Sequence, residues 1–320
     1  MNVTERLDAE LASMLERNPV ASIDWELFDL GNINELRGLL ESSQVPPQRS
    51  THGMELHDHE VPGPSGAPPV MLRIYEPQPS DEKSPCIYWI HGGGFISGSA
   101  LREDPMLGEW AQKLSCKVVA VNYRLAPETS FPGPLEDAYA GLDWTIRNAA
   151  TLGIDSDRLA VVGASAGGGI AAGLALAVRD RGEFQIHQQV LLYPMLDDRS
   201  ITTSSSLETV VWTPTANLLG WSAYLGGQPG AENIHPYAAP ARAEDLSGLP
   251  TSFIAVGTLD LFRDESILYA LRLLEGGVET ELHVYPGAPH GFATFGTGSA
   301  LAKRCAADIE AALVRGFANH

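Results

Sequence analysis

A mostly parallel β-sheet covered by helices on both faces is the fold this sequence predicts. Short apolar runs recur along the chain, at residues 86–90, 117–121, 159–163, 189–193, 252–256 and 281–285. Helical patterns separate them, among them 105–114, 135–150 and 166–181. Strands that are apolar on both sides need cover on both sides, and helical crossovers supply it. With 320 residues and 44% hydrophobic content, the chain has material for a sizeable core.

Taken in order, the chain opens with a predicted helix. Val3, Leu7, Leu11, Met14 and Leu15 recur at helical spacing, Pro19 closes the pattern, and Ile33, Leu36, Leu39 and Leu40 predict a second helix. Pro46-Pro47 marks a boundary. Residues 54–61 and 70–75 then read as a hairpin around Pro62-Gly63-Pro64-Ser65-Gly66. Strand–helix alternation follows and is broken once, between Tyr193 and Leu249, by a Ser/Thr-rich stretch, an apolar helix-like patch and a Gly/Pro-rich return. That stretch is too long for a connection and too apolar for a linker. It reads as an inserted lid packed with the N-terminal helices. The first helix is expected to lay its stripe on the insertion around Trp212, Leu218, Leu219, Trp221 and Tyr224 and to roof the site. The resulting division is cap helices in 1–45, core in 46–194, cap insertion in 195–248 and core again in 249–320.

Composition narrows the function. A formal charge of −19, from 40 acidic and 21 basic residues, argues against a nucleic-acid partner or a polybasic membrane anchor and favours a small neutral substrate. Cys86, Cys116 and Cys305 are too few and scattered for a disulfide framework or metal site, and Cys86 reads as a small core residue. The N-terminus lacks the pattern of a signal peptide, and no run reaches the ~18–20 apolar residues of a membrane span. A cytoplasmic protein without cofactor or metal is expected. His57 and His59 share a probable strand face but lack a visible third ligand, and Asp197-Asp198 reads as a solvated loop.

Two motifs carry chemistry. Ser165 lies in Gly163-Ala164-Ser165-Ala166-Gly167, directly after an apolar run and before a helical pattern. Small residues let that turn be sharp, so the hydroxyl stands free at the strand end. His91-Gly92-Gly93-Gly94 also follows a strand-like run, and three glycines exceed what a turn needs. Their N–H groups are placed to receive an oxyanion, together with that of Ala166 after the serine. His91 itself reads as structural.

A serine needs a base to remove its proton, and the base needs an acid to orient it. In the chain order Ser, acid, His, the candidates past the elbow are His235, His283, His290 and His320. His290 stands in a turn beyond the last strand, where a site on a parallel sheet gathers. His283 falls inside a strand, His235 in the lid and His320 at the terminus. The acid is Asp260, at the end of the preceding strand. Asp264 is the reserve, and it and Glu265 suit a helix N-terminus.

Together with Tyr123-Arg124-Leu125-Ala126-Pro127-Glu128 and Pro289-His290-Gly291-Phe292, these motifs make the chain resemble the hormone-sensitive-lipase branch of the α/β-hydrolases, the bacterial family IV carboxylesterases. The resemblance runs from about Met54 to the end. It implies an α/β-hydrolase fold with a helical cap, a triad of Ser165, Asp260 and His290, oxyanion donors at Gly93, Gly94 and Ala166, hydrolysis of short-chain esters, and a homodimer. Ala164 replaces an Asp frequent in the family, and Leu261 a frequent Pro. An amidase with the same triad is the alternative chemistry. A non-catalytic receptor, as in the plant gibberellin receptors that resemble the family without its catalytic His, is disfavoured by His290.

Overall fold

A computed structural model describes residues 3–42, 54–77 and 83–318. Pro46-Pro47 and His320 fall outside them. Eight strands, β1 (Glu55–Val61), β2 (Val70–Glu76), β3 (Ser84–Ile90), β4 (Lys117–Asn122), β5 (Ile154–Ala164), β6 (Gln188–Leu192), β7 (Thr251–Leu259) and β8 (Thr280–Pro289), form one sheet ordered β1-β2-β4-β3-β5-β6-β7-β8. β1 and β2 form the expected antiparallel hairpin, β2 joins β4 antiparallel, and every later pairing is parallel. The helices are α1 (Ala9–Leu15), α2 (Ile33–Ser42), α3 (Asp104–Lys113), α4 (Gly133–Arg147), α5 (Ala166–Arg181), α6 (Pro214–Leu225), α7 (Arg263–Glu275), α8 (Phe292–Phe295) and α9 (Ala300–Ala318).

Alternation along the strands sends successive side chains into two cores. Cys86, Tyr88 and Ile90 join Val119, Val121 and Val161 against α4 and α5 on one face. Ile87 and Trp89 join Val118, Val162 and Val190 against α3 and α9 on the other. All three cysteines are buried and free.

The N-terminal segment departs from expectation. Its predicted single helix is two pieces, a 3-10 turn at Thr4–Arg6 and α1, with Leu7 extended between them. Asp8 causes the break: its carboxylate accepts from the N–H groups of Glu10 and Leu11 at 3.0 and 3.1 Å, capping a new helix. α1 ends at Leu15, and Pro19 begins a further 3-10 turn instead of closing the helix. Nor does α1 lie on the insertion. Leu11 enters the α9-side core with Phe292 and Ala302, the Asp8 N–H donates to the Gly287 carbonyl, and Glu10 accepts from the Ala300 N–H. Trp25, in a 3-10 turn at Trp25–Leu27, is the residue that meets Trp212, with ring centroids 5.2 Å apart. Glu26 accepts from the Thr215 hydroxyl of α6 at 2.6 Å.

Candidate active site

Ser165 turns the chain from β5 into α5 with φ 56° and ψ −122°, a strained conformation for a residue bearing a side chain. The surroundings hold it there. Its N–H donates to the Leu192 carbonyl at 2.8 Å, and its carbonyl accepts from the Met195 N–H at 3.1 Å, so β6 and its loop grip the turn from one side. A Cβ at Gly167 would collide with the carbonyls of Ile90 and His91, which is why the turn takes glycine there.

Three side chains meet at the carboxyl ends of β5, β7 and β8. Ser165 Oγ lies 2.9 Å from His290 Nε2, and His290 Nδ1 lies 2.8 Å from Asp260 Oδ2. The carboxylate accepts from Nδ1–H, which leaves Nε2 as acceptor for the serine hydroxyl. Asp260 is fully buried, and its second oxygen accepts from the Phe262 N–H at 2.9 Å. Tyr193 and Phe262 both stand edge-on to the imidazole, with centroids at 5.1 Å. An apolar collar thus fixes the ring in place.

The His-Gly-Gly-Gly loop after β3 comes to the same point. An added Cβ on Gly92 would lie 3.3 Å from Ser165 Cβ, a measure of how close the backbone approaches. His91 anchors the loop. Its ring stacks on Tyr123 at 4.1 Å, Nδ1–H donates to the Gly92 carbonyl, and the Tyr123 hydroxyl donates to the His91 carbonyl. Burial lowers the His91 pKa to about 4, so the imidazole is neutral. The Tyr123–Glu128 segment braces the loop from below, the Ala126 N–H donating to the Phe95 carbonyl at 3.0 Å.

Known proteins resemble this chain over most of its length. A family model described as the alpha/beta hydrolase fold matches residues 87–294. The chain belongs to the α/β-hydrolase fold family, in its hormone-sensitive-lipase-like branch. The esterase LipI of Mycobacterium tuberculosis is 35% identical over 250 residues, 77% of this chain and 78% of that protein. The carboxylesterase NlhH of the same organism is 33% identical over 302 residues, 90% and 89% of the two chains. Among solved structures, a bacterial heroin esterase superposes with a TM-score of 0.92 at 40% identity, covering 99% of each chain.

Asp264 and Glu265 of this α/β-hydrolase stand in the first turn of α7, as the sequence indicates, and neither takes the place of Asp260 beside the imidazole. Asp264 is turned away from His290: its carboxylate accepts from the Ser204 N–H at 2.8 Å and pairs with Arg263 at 2.6 Å. Glu265 is buried and accepts from the Leu196 and Asp197 N–H groups, and desolvation pushes its pKa well above the ordinary carboxylate value. Asp197 and Asp198 do not form a solvated loop. Both are buried, because Arg199 and Arg242 each bind one of them through two guanidinium nitrogens.

His283 lies in β8 between Glu281 and Asp308, and His235 stacks beside Phe131, both away from the serine. Among the described residues, no group of three or more His, Cys, Asp or Glu is arranged to hold a metal, and no helix is long and apolar enough to cross a membrane. The sequence places Trp212 in the apolar patch expected to roof the site with the first helix, and it is Trp25 that packs there. The Trp212 indole covers Gly94 and stands 6.5 Å from the His290 ring.

Proposed function

We propose that this chain is a serine carboxylesterase that cleaves short-chain carboxylic esters through an acyl-enzyme on Ser165. Its relative LipI is named an esterase and its relative NlhH a carboxylesterase. The observation that carries the residue roles is the unbroken chain Ser165 Oγ, His290 Nε2, His290 Nδ1, Asp260 Oδ2.

In this mechanism His290 takes the Ser165 proton as Oγ attacks the ester carbonyl. Asp260 stabilises the imidazolium. The N–H groups of Gly93, Gly94 and Ala166 receive the oxyanion, and the alcohol leaves with the proton from Nε2. Water then enters along the same path, and His290 activates it to release the acid and free serine. Neither step needs a metal or cofactor. The net charge of −19 supports a neutral ester over an anionic one. Three free buried cysteines support a cytoplasmic setting. The homodimer implied by the resemblance is likewise proposed, with sedimentation as its test.

The reading is tested by labelling with a fluorophosphonate and by hydrolysis of p-nitrophenyl esters beside matched anilides. Labelling at Ser165 with ester turnover supports it. An unlabelled, inactive protein, or one that prefers the anilides, overturns it.

A further inference from the structure

We propose that Trp212 sets the acyl length this esterase accepts, closing the acyl arm of the site with a rigid wall. The inference rests on the esterase reading above and adds to it the residue that selects among esters.

The indole sits where little else fits. A Cβ on Gly94 would lie 2.6 Å from Trp212 Cζ2, so the ring lies directly on the oxyanion loop. A Cβ on Gly220 of α6 would lie 2.8 Å from the Gly94 carbonyl and 3.2 Å from the same Cζ2. Glycine at both positions is what lets the indole come down on the loop. Its back is equally filled. Trp25, 4% exposed, stands edge-on behind it at 5.2 Å, and Trp212 itself is 7% exposed. Trp212 Nε1–H donates to Asn217 Oδ1 at 3.4 Å, Asn217 reaches Ser200, and the Thr209 hydroxyl donates to the Trp212 carbonyl. Packed between the loop and Trp25 and held by its polar groups, the ring is fixed in place.

The two arms of an ester differ in what they require. The alcohol departs past His290 Nε2 and water arrives by that path, so its arm must open to solvent. Trp212, 7% exposed and backed by Trp25, makes a closed end and not an opening. Trp212 therefore bounds the other arm, that of the acyl chain, and the substrates it admits are esters of short acids.

Wild type, Trp212→Ala, Trp212→Phe and Trp25→Ala are compared on p-nitrophenyl acetate, butyrate and octanoate, with circular dichroism and thermal unfolding as fold controls. Trp212→Ala should raise the octanoate-to-acetate ratio of kcat/KM by about tenfold or more, since a few methylenes admitted to an apolar pocket are worth at least that. Trp25→Ala should raise it less, by loosening the wall, and Trp212→Phe should leave it near wild type. If Trp212→Ala does not fold, Trp212→Leu is read by the same criterion.

A folded Trp212→Ala, or Trp212→Leu in its place, whose ratio stays within about twofold of wild type overturns the inference, because truncating a residue that bounds the chain must change the ratio by more than that. So does a larger shift in a series of methyl, butyl and octyl acetates, which would place Trp212 on the alcohol arm. A wild type inert toward every ester and unlabelled by fluorophosphonate overturns the esterase reading as well. An active wild type with an unmoved ratio overturns the role of Trp212 alone.

Discussion

Arg37 of α2 grips Glu128 through both carboxylate oxygens, Nη1 to Oε1 at 2.5 Å and Nη2 to Oε2 at 2.7 Å. The same guanidinium donates to the carbonyls of Ile96 and Ala126, each at 2.7 Å. Ile96 follows the glycine loop by two residues, and its N–H donates to the Gly93 carbonyl. One side chain from the N-terminal segment thus clamps the base of the loop assigned to the oxyanion.

The clamp has a pH signature. The Arg37 guanidinium lowers the Glu128 pKa from 4.5 to about 2. A depressed carboxylate contributes its stability above the unfolded value and loses it as pH falls toward the folded one. Wild type should therefore unfold at a higher temperature than Glu128→Gln at pH 6, with the gap shrinking between pH 4.5 and about 2. Glu128 is 55% exposed, so solvent screening keeps the pair's worth below about 1 kcal/mol. A gap that is constant from pH 6 to 2 would show that the charge of Glu128 is not what matters.

Ser165→Ala should remove ester hydrolysis and leave the thermal unfolding of the protein nearly unchanged. Loss of a nucleophile costs on the order of 10⁶ in kcat, with the residue of activity coming from binding and the oxyanion hole. A purified variant that retains a tenth of the wild-type kcat would exclude Ser165.

Asp260→Asn and Asp264→Asn should separate by orders of magnitude. An amide at 260 cannot hold Nδ1–H against Oδ2, and the equivalent change in another Ser-His-Asp enzyme costs about 10⁴ in kcat. Asp264 serves Ser204 and Arg263, so its loss should lower stability with little effect on turnover. Steady-state kinetics on both variants decide the assignment, and the reverse ranking refutes it.

Gly94→Ala should lower kcat far more than it raises KM. Gly94 has φ 61°, and its new methyl would press on Trp212, so the loop must shift away from the carbonyl oxygen. Loss of one oxyanion donor costs about 10²–10³ in kcat. A variant with unchanged kcat and an ordinary fold would remove Gly94 from the oxyanion site.

Deleting residues 1–19 should lower stability without changing the acyl-length profile. α1 docks on the α8–α9 side through Leu11, Asp8 and Glu10, away from Trp212. Its removal uncovers apolar surface and leaves Trp25 in place. A shift in the octanoate-to-acetate ratio of the truncated protein would mean that α1 reaches the acyl arm after all.

What the sequence made legible was local. The elbow and the glycine loop are strand–turn signatures, readable within a few residues, and the order of Ser165, Asp260 and His290 follows the order of the strands that carry them. What it concealed depends on partners far along the chain. Asp198 looked solvated because Arg242, which neutralises it in the interior, lies 44 positions away. Trp212 looked like one apolar residue among several, since its place over Gly94 depends on glycine at 220 and on Trp25. The first helix looked continuous because its apolar spacing is, yet the carboxylate of Asp8 outweighed that periodicity.

The N-terminal segment divides its apolar side chains between the two cores, Leu11 on one face of the sheet and Trp25 and Leu36 on the other. Its fastenings lie far downstream: Glu26 binds Thr215, 189 positions on, and Glu10 binds Ala300, 290 positions on. On the ribosome these first residues emerge long before the surfaces that receive them exist. Neither fastening can form until its downstream partner, Thr215 or Ala300, has been synthesised. Each of these contacts spans most of the sequence, so the wall that Trp25 backs beside Ser165 is closed by pairings of very high contact order.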